Sequence, residues 1–441
     1  MQEKLIGGYL YERVKSHNMG KPELKMVYVS RQSFVWNTIG CVLSAGSSFV
    51  LLMCVTRAVG AGEGGVFSLA FATAQILLTL GKYGVRSYQA TDVSKRITSA
   101  TYLVLRVLTC LAMMLLCGII VLFFRYDDYK SGVVFAVCLI KMVDAVEDVY
   151  HGQLQLNHKL DIAGKLLAFR NLFTMFVFGS LIFGTKNLLI TCWTTAFFSL
   201  LVCVFLNHKQ SSRYEKLTLY LDKLEMRDLL LSCFPLFLGS FLSLYIYNAP
   251  KYAIDLYCST EEQTYYAIIF MPAFVINMFS EFAFKPLLTS LAVWWNEGEL
   301  QKFKKTVTKL IGYIFLITAI VLIGMYFLGA RLLSIVYRVD VMPYRMELLL
   351  LMLGGGFSAS VYFLYNVLTA MRRQRDILIN YFIGSIIVTL IAFMSVRGKG
   401  LLAAALSYLI AESILCFLMI GSLNKNRVVQ FRKGNDYVEN D

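Results

Sequence analysis

Apolar stretches of about 20 residues, long enough to cross a bilayer as helices, recur twelve times along the chain. They predict membrane spans near 33–56, 64–84, 99–124, 132–156, 160–184, 187–206, 229–254, 264–285, 306–329, 347–370, 376–395 and 400–421. Polar loops between them are short, and only the connection after the sixth span reaches about twenty residues. One span breaks the pattern. In the fourth, Lys141, Asp144, Asp148, His151 and Gln155 follow a 3-4-3-4 spacing and form one polar stripe of a helix, with Glu147 at its edge. A charge in hydrocarbon costs several kcal/mol, so this stripe cannot face lipid. Either it is a set of ion pairs joining helix to helix, Lys141 with Asp144 and Glu147 with His151, or it lines a wet path.

Composition agrees with an all-α membrane protein. Of 441 residues, 58% are hydrophobic and only 16% charged, against about 25% in a soluble domain. Six prolines and thirty glycines exclude low-complexity or collagen-like character. The ten cysteines lie mostly within apolar runs and read as small buried hydrophobes. No CxxC or Cys/His metal spacing occurs, so neither a metal nor a bound cofactor is expected.

The net charge of +14 sits in the loops of one membrane face, which argues against a nucleic-acid partner. Lys and Arg crowd the N-terminal segment and every second loop, and by the positive-inside rule these loops and both termini are cytoplasmic. The first thirty residues are polar and basic, so the first span is expected to act as its own uncleaved signal. Within them Leu5, Ile6, Tyr9, Leu10 and Val14 predict a short interfacial helix. The predicted organisation is a cytoplasmic segment 1–32, a six-helix lobe 33–206, a basic linker 207–228, a second six-helix lobe 229–421 and a tail 422–441.

Residues 57–70, beginning Arg57-Ala-Val-Gly60 and holding Gly64-Gly65, and residues 80–92, with Gly81, Gly84 and Gln89, look like the first helical hairpin of bacterial polysaccharide flippases. Tyr247-Asn248-Ala249-Pro250, Phe270-Met271-Pro272 and Phe284-Lys285-Pro286 resemble the seventh and eighth spans of the same family, and the segment from Asp144 to Asp161 is a further similar stretch. That family belongs to the multidrug/oligosaccharidyl-lipid/polysaccharide exporter superfamily. The resemblance covers essentially the whole chain. It implies two six-helix lobes around a central cavity that opens alternately to each side of a bacterial cytoplasmic membrane. The cargo it implies is a polyprenyl-diphosphate-linked oligosaccharide, a repeat unit of O-antigen, capsule or exopolysaccharide, with a polysaccharide polymerase as a further expected partner.

Such a cargo needs cations for its diphosphate, polar and aromatic groups for its sugars, and a slot for its tail. Arg106, Lys141 and Arg170 interrupt the third, fourth and fifth spans. Lys141 falls ~15 Å from the outer end and Arg170 ~15 Å from the inner end, both near mid-membrane. Asp144, Glu147 and Asp148 could neutralise all three. The seventh span sets Tyr245, Asn248, Tyr252 and Asp255 on one face, joined by Lys251 from its outer end. In the eighth, Asn277, Glu281 and Lys285 run at i, i+4 and i+8, and Glu281 with Lys285 could be a simple helix ion pair. Pro250, Pro272 and Pro286 would kink their helices, either as static bends or where the lobes flex. Coupling needs a group that changes ion occupancy; Asp144, Asp148 and Glu412 are the candidates, for protons or for sodium.

Two rivals share the superfamily, a cation-coupled multidrug exporter and a peptidoglycan-precursor flippase. A site for cationic drugs would be net acidic, whereas this chain sets Arg106, Lys141, Arg170 and Lys251 within or at the ends of spans. A membrane glycosyltransferase would need a long outer loop with acids, Arg or His for catalysis. The expected outer loops are short, and His17, His151, His158 and His208 are all cytoplasmic or intramembrane. No enzymatic activity is expected.

Overall fold

The computed structural model describes residues 9–13, 24–28, 31–89, 97–157, 159–211, 223–371 and 373–424. The first lobe contains α1 (Arg31–Val59), α2 (Ala61–Lys82), the short α3 (Val85–Gln89), α4 (Ser99–Phe123), α5 (Asp128–Leu156), α6 (Leu160–Thr185) and α7 (Leu188–Ser211). The second contains α8 (Lys223–Tyr257), α9 (Thr260–Asn296), α10 (Leu300–Tyr337), α11 (Arg345–Ala370) and α12 (Gln374–Asn424). Gly400 interrupts α12 with φ 51, a left-handed conformation that costs glycine little, and so splits it into the last two spans. Nine helices among the described residues are long and apolar enough to cross a membrane on those grounds alone. α12 holds two spans, and α5 and α9 complete the twelve. α5 is interrupted by the charges of its stripe.

α7 continues to Ser211 and α8 begins at Lys223, both within the expected linker 207–228; 212–222 and the tail beyond Asn424 lie outside the described residues. Ahead of α1, Tyr9–Arg13 and Leu24–Tyr28 pair as an antiparallel hairpin, with Tyr9 opposite Tyr28, where an interfacial helix was expected. The tyrosines and valine of these strands favour extended backbone.

Local signals set the helix ends. Thr98 and Asp127 cap α4 and α5, accepting from Thr101 N at 3.3 Å and from Lys130 N at 2.8 Å. α8 continues through Pro235 and Pro250. Large apolar side chains such as Leu115, Leu122, Phe205, Ile323 and Phe327 face outward, as hydrocarbon contact requires. Eight of the ten cysteines are buried, and all ten are free.

Each lobe wraps around one helix. In the first, α5 packs against α2, α4, α6 and α7; in the second, α11 packs against α9, α10 and α12. The two central helices differ in chemistry. α11 buries Leu351, Met352, Ala359 and Phe363, whereas α5 buries Lys141, Glu147, Asp148 and His151. Of these two central helices, only α5 buries charged side chains among the described residues.

Candidate functional site

The lobes meet where α2 packs against α8 and α9. At the end holding Arg57, Lys130 and Tyr257, the one expected to be external, several contacts tie them together. Lys130 Nζ pairs with Asp255 Oδ1 and lies 4.2 Å from the centre of the Tyr126 ring. Thr264 Oγ1 donates to Ala61 O. Arg57 Nε donates to Val336 O at 2.7 Å. Tyr252 Oη reaches Thr73 Oγ1 at 3.1 Å. Gly65 permits this approach, since a Cβ there would lie 1.9 Å from Thr260 O. At the opposite end α8 leans on the first lobe. Tyr83 stacks on Phe237 with ring centres 4.9 Å apart, and Thr101 donates to Glu225 at 2.9 Å.

Between these seams lies a cavity of about 650 Å³, counted out to its mouth. α1 contributes Ser48, Phe49 and Leu52; α2 contributes Phe67, Ser68, Phe71 and Gln75. α8 contributes Leu244, Tyr247, Asn248 and Lys251, and α9 contributes Ala267, Phe270, Met271 and Phe274. Lys251 is the only charged residue in this lining among the described residues. Its Nζ sits 5.7 Å from the Phe270 ring centre, and it has no carboxylate partner among the described residues.

A second, narrow cavity penetrates the first lobe and shares Phe67 and Phe71 with the first. Ser47, Leu51, Val137, Ile140, Lys141, Asp144, Arg170, Asn171 and Thr174 complete its wall. Asp144 bridges two cations there, with Oδ1 2.5 Å from Arg170 Nη2 and Oδ2 2.9 Å from Lys141 Nζ. Arg170 Nε also holds Glu147 Oε2 at 2.7 Å, and the far oxygen of Glu147 lies 3.6 Å from His151 Nε2. Lys141 Nζ stands 4.8 Å from the Phe71 ring centre, at the partition between the cavities. Deeper along α5, Asp148 pairs with Arg106 at 3.0 Å and with Arg86 at 3.6 Å, and Arg86 donates to Gln155. Polar side chains therefore run unbroken along α5 from Lys141 to Gln155. Their electrostatics are lopsided among the described residues: Lys82, Arg86, Arg106, Lys141 and Arg170 stand against three carboxylates, Asp144, Glu147 and Asp148.

The structure thus brings together some sequence candidates and separates others. Asn248 and Lys251 line the central cavity, while Lys141, Asp144 and Arg170 line the side cavity. Arg106 is 1% exposed, donates to Gly81 O and lines neither, because Asp148 and the α2 backbone hold its guanidinium inside the lobe. Asp148 accordingly also lies away from both cavities.

The seventh-span face is rotated from the one expected. Tyr245 bonds Thr389 at 2.8 Å, Tyr252 reaches Thr73 and Asp255 pairs with Lys130, so these three serve packing within and between lobes. The cavity wall is the neighbouring stripe Leu244, Tyr247, Asn248 and Lys251. Glu412 is buried at 4% exposure behind the cavity, on the same helix as Tyr408, whose ring packs on Phe270 at 4.9 Å. It has no cationic partner among the described residues. The side chains of Asn277, Glu281 and Lys285 lie outside the described residues. Sequence reasoning missed the α2 wall, Phe67, Ser68, Phe71 and Gln75, which carries no charge to mark it.

Charge at the outer seam yields a direct test. Lys130→Asp or Asp255→Lys alone sets like charges face to face, and the double exchange restores attraction. Labelling of Cys258, half-buried beside this seam, by a membrane-impermeant maleimide should rise in each single variant and return to the wild-type rate in the exchange.

No family model matches the sequence, and no curated protein sequence matches it. Solved structures do. The lipid II flippase MurJ in an inward closed conformation superposes with a TM-score of 0.68 at 14% identity, over 89% of this chain and 87% of that one. An inward-facing multidrug resistance MATE family transporter of the MOP superfamily gives 0.64 at 11% identity, over 90% of this chain and 99% of that one. A MOP superfamily transporter from Pyrococcus furiosus, described by a reversed polarity of its binding pocket, gives 0.55 at 13% identity, over 89% and 93%. The chain is a multi-pass membrane protein with the two-lobed helical fold of MOP superfamily transporters.

Proposed function

We propose that the protein flips polyprenyl-diphosphate-linked oligosaccharide repeat units across the bacterial cytoplasmic membrane, by ion-coupled alternating access, for O-antigen, capsule or exopolysaccharide assembly. The observation that carries this reading is the sign of the cavity. Among the described residues Lys251 is the only charge in the central wall, and Lys141 and Arg170 stand behind Phe67 and Phe71. Lys251 is half-buried with no counter-ion among the described residues, an arrangement that costs free energy, and a cargo diphosphate would neutralise it. Asn248, Gln75, Ser48 and Tyr247 offer hydrogen bonds and a ring face to sugars, while the phenylalanines suit an apolar tail. A cationic drug would gain nothing from Lys251, which disfavours the multidrug reading. A peptidoglycan precursor carries the same lipid-linked diphosphate, and the likeness in fold to the lipid II flippase keeps that cargo as the second reading.

In the cycle, Lys251 and Asn248 receive the headgroup, and the outer seam of Lys130, Asp255, Thr264 and Arg57 opens to release it. Glu412 and Asp144 are the carboxylates positioned to exchange a proton or sodium ion with these states. Asp148, clamped by two arginines, has a positioning role. Purified protein in vesicles should translocate a fluorescent polyprenyl-diphosphate oligosaccharide under an imposed ion gradient. Translocation of cationic dyes with none of the lipid-linked sugar would overturn the reading. The orientation has its own check: a reporter fused after Lys216 should be cytoplasmic and one after Thr260 external.

A further inference from the structure

The side cavity of the first lobe already contains an anion. We propose that Asp144 is the resident anion of a phosphate-binding site, holding Lys141 and Arg170 until a phosphate group of the cargo replaces it. This rests on the cargo class proposed above and specifies how that cargo is received.

The geometry supports exchange rather than a permanent clamp. A carboxylate that spans a guanidinium at 2.5 Å and an ammonium at 2.9 Å occupies the place of two phosphate oxygens between the same cations. The three groups line a narrow cavity, whereas the Arg106–Asp148 pair deeper in the lobe lines neither cavity. Phe71, against which Lys141 rests, belongs to both cavities, so an anion in the central cavity approaches Lys141 across one ring.

Arg170 has a second partner, Glu147, at 2.7 Å, so departure of Asp144 would not strip it of all counter-charge. The leaving carboxylate also has somewhere to go. Lys82, on α2, lies within electrostatic range of Asp144 and has no carboxylate partner among the described residues. Asp144 then moves from one cation set to another as the site fills, linking occupancy to the contact between α5 and α2. α2 is the helix on which the lobes close.

The test is binding alone, in the full chain reconstituted in lipid nanodiscs, with inorganic pyrophosphate and polyprenyl diphosphate as separate probes. Removing the internal competitor by Asp144→Asn should tighten binding at least ~tenfold. Adding Lys141→Gln to that variant should cancel the gain. Wild-type affinity in Asp144→Asn overturns the proposal. A readout that needs no substitution uses the wild-type protein: saturating probe should shift a carboxylate stretching band in the infrared difference spectrum as Asp144 leaves its cations. A flat carboxylate region at saturation overturns the proposal even if Asp144→Asn fails to accumulate. Response to pyrophosphate supports exchange with free phosphates, and response to polyprenyl diphosphate alone supports exchange with the lipid headgroup. Translocation is not read here, so exchange stands if the vesicle assay finds no sugar transport, and that assay stands if exchange fails.

Discussion

Arg170→Ala is expected to remove the protein from the membrane almost completely. The guanidinium is 2% exposed and holds Asp144 at 2.5 Å and Glu147 at 2.7 Å, while its third nitrogen reaches Ser199 at 3.4 Å. Removing it leaves Glu147, itself 1% exposed, with no cationic partner among the described residues, only the His151 ring at 3.6 Å and the Asn207 amide at 3.5 Å. Breaking a buried pair from one side costs about 3–5 kcal/mol, a large share of the roughly 5–15 kcal/mol that holds a typical protein folded. Arg170→Leu with Glu147→Leu takes out one charge of each sign and leaves Lys141 with Asp144. That double variant should regain most of the abundance. Membrane abundance by quantitative blotting of wild type, single and double variants checks this. Normal accumulation of Arg170→Ala would mean that α5 and α6 do not depend on the pair.

Lys251→Ala should do the reverse, leaving abundance unchanged and removing most transport. Among the described residues no carboxylate pairs with Lys251, so its loss costs little folding free energy and relieves the partial burial of a lone charge. A charge-assisted hydrogen bond to a phosphate oxygen is worth about 1.5–3 kcal/mol, which corresponds to roughly ten- to hundredfold in translocation rate at low substrate. Lys251→Arg keeps the charge in a larger, planar form and should retain a substantial part of the rate. The measurement is initial translocation rate in vesicles normalised to inserted protein. Equal loss in the alanine and arginine variants would point to packing against Phe270 as the role of this side chain.

Much of this was legible in the chain. Spans appear as apolar runs because the bilayer imposes a length and forbids exposed backbone, and helix ends fall within a few residues of the predicted ones at most spans. The stripe on α5 was visible because 3-4 spacing of charges has no other use in lipid. Its partners were not. That Asp148 belongs to Arg106 and Glu147 to Arg170 depends on how α4 and α6 sit around α5, and spacing within one helix carries no such information. The error on α8 has a similar origin. Tyr245, Tyr252 and Asp255 show the same polar periodicity as a wet wall, but they meet Thr389, Thr73 and Lys130. A helix face that seals two lobes and one that lines the space between them look alike in sequence. The aromatic wall of α2 was silent for the opposite reason, since Phe67 and Phe71 read as ordinary apolar packing.

The ion pairs of α5 also constrain the order in which the chain can be made. A charge at the centre of a nascent helix raises its insertion free energy by about 2.5–3.5 kcal/mol, and α5 carries Lys141, Asp144, Glu147 and Asp148. Leu, Ile, Val and Phe at about −0.3 to −0.6 kcal/mol each do not offset four such residues in a single span. α5 therefore cannot leave the translocon for lipid alone. It has to wait beside α4, which brings Arg106, until α6 delivers Arg170. Biosynthesis of the first lobe then proceeds as a three-helix unit, released when its charges have been matched.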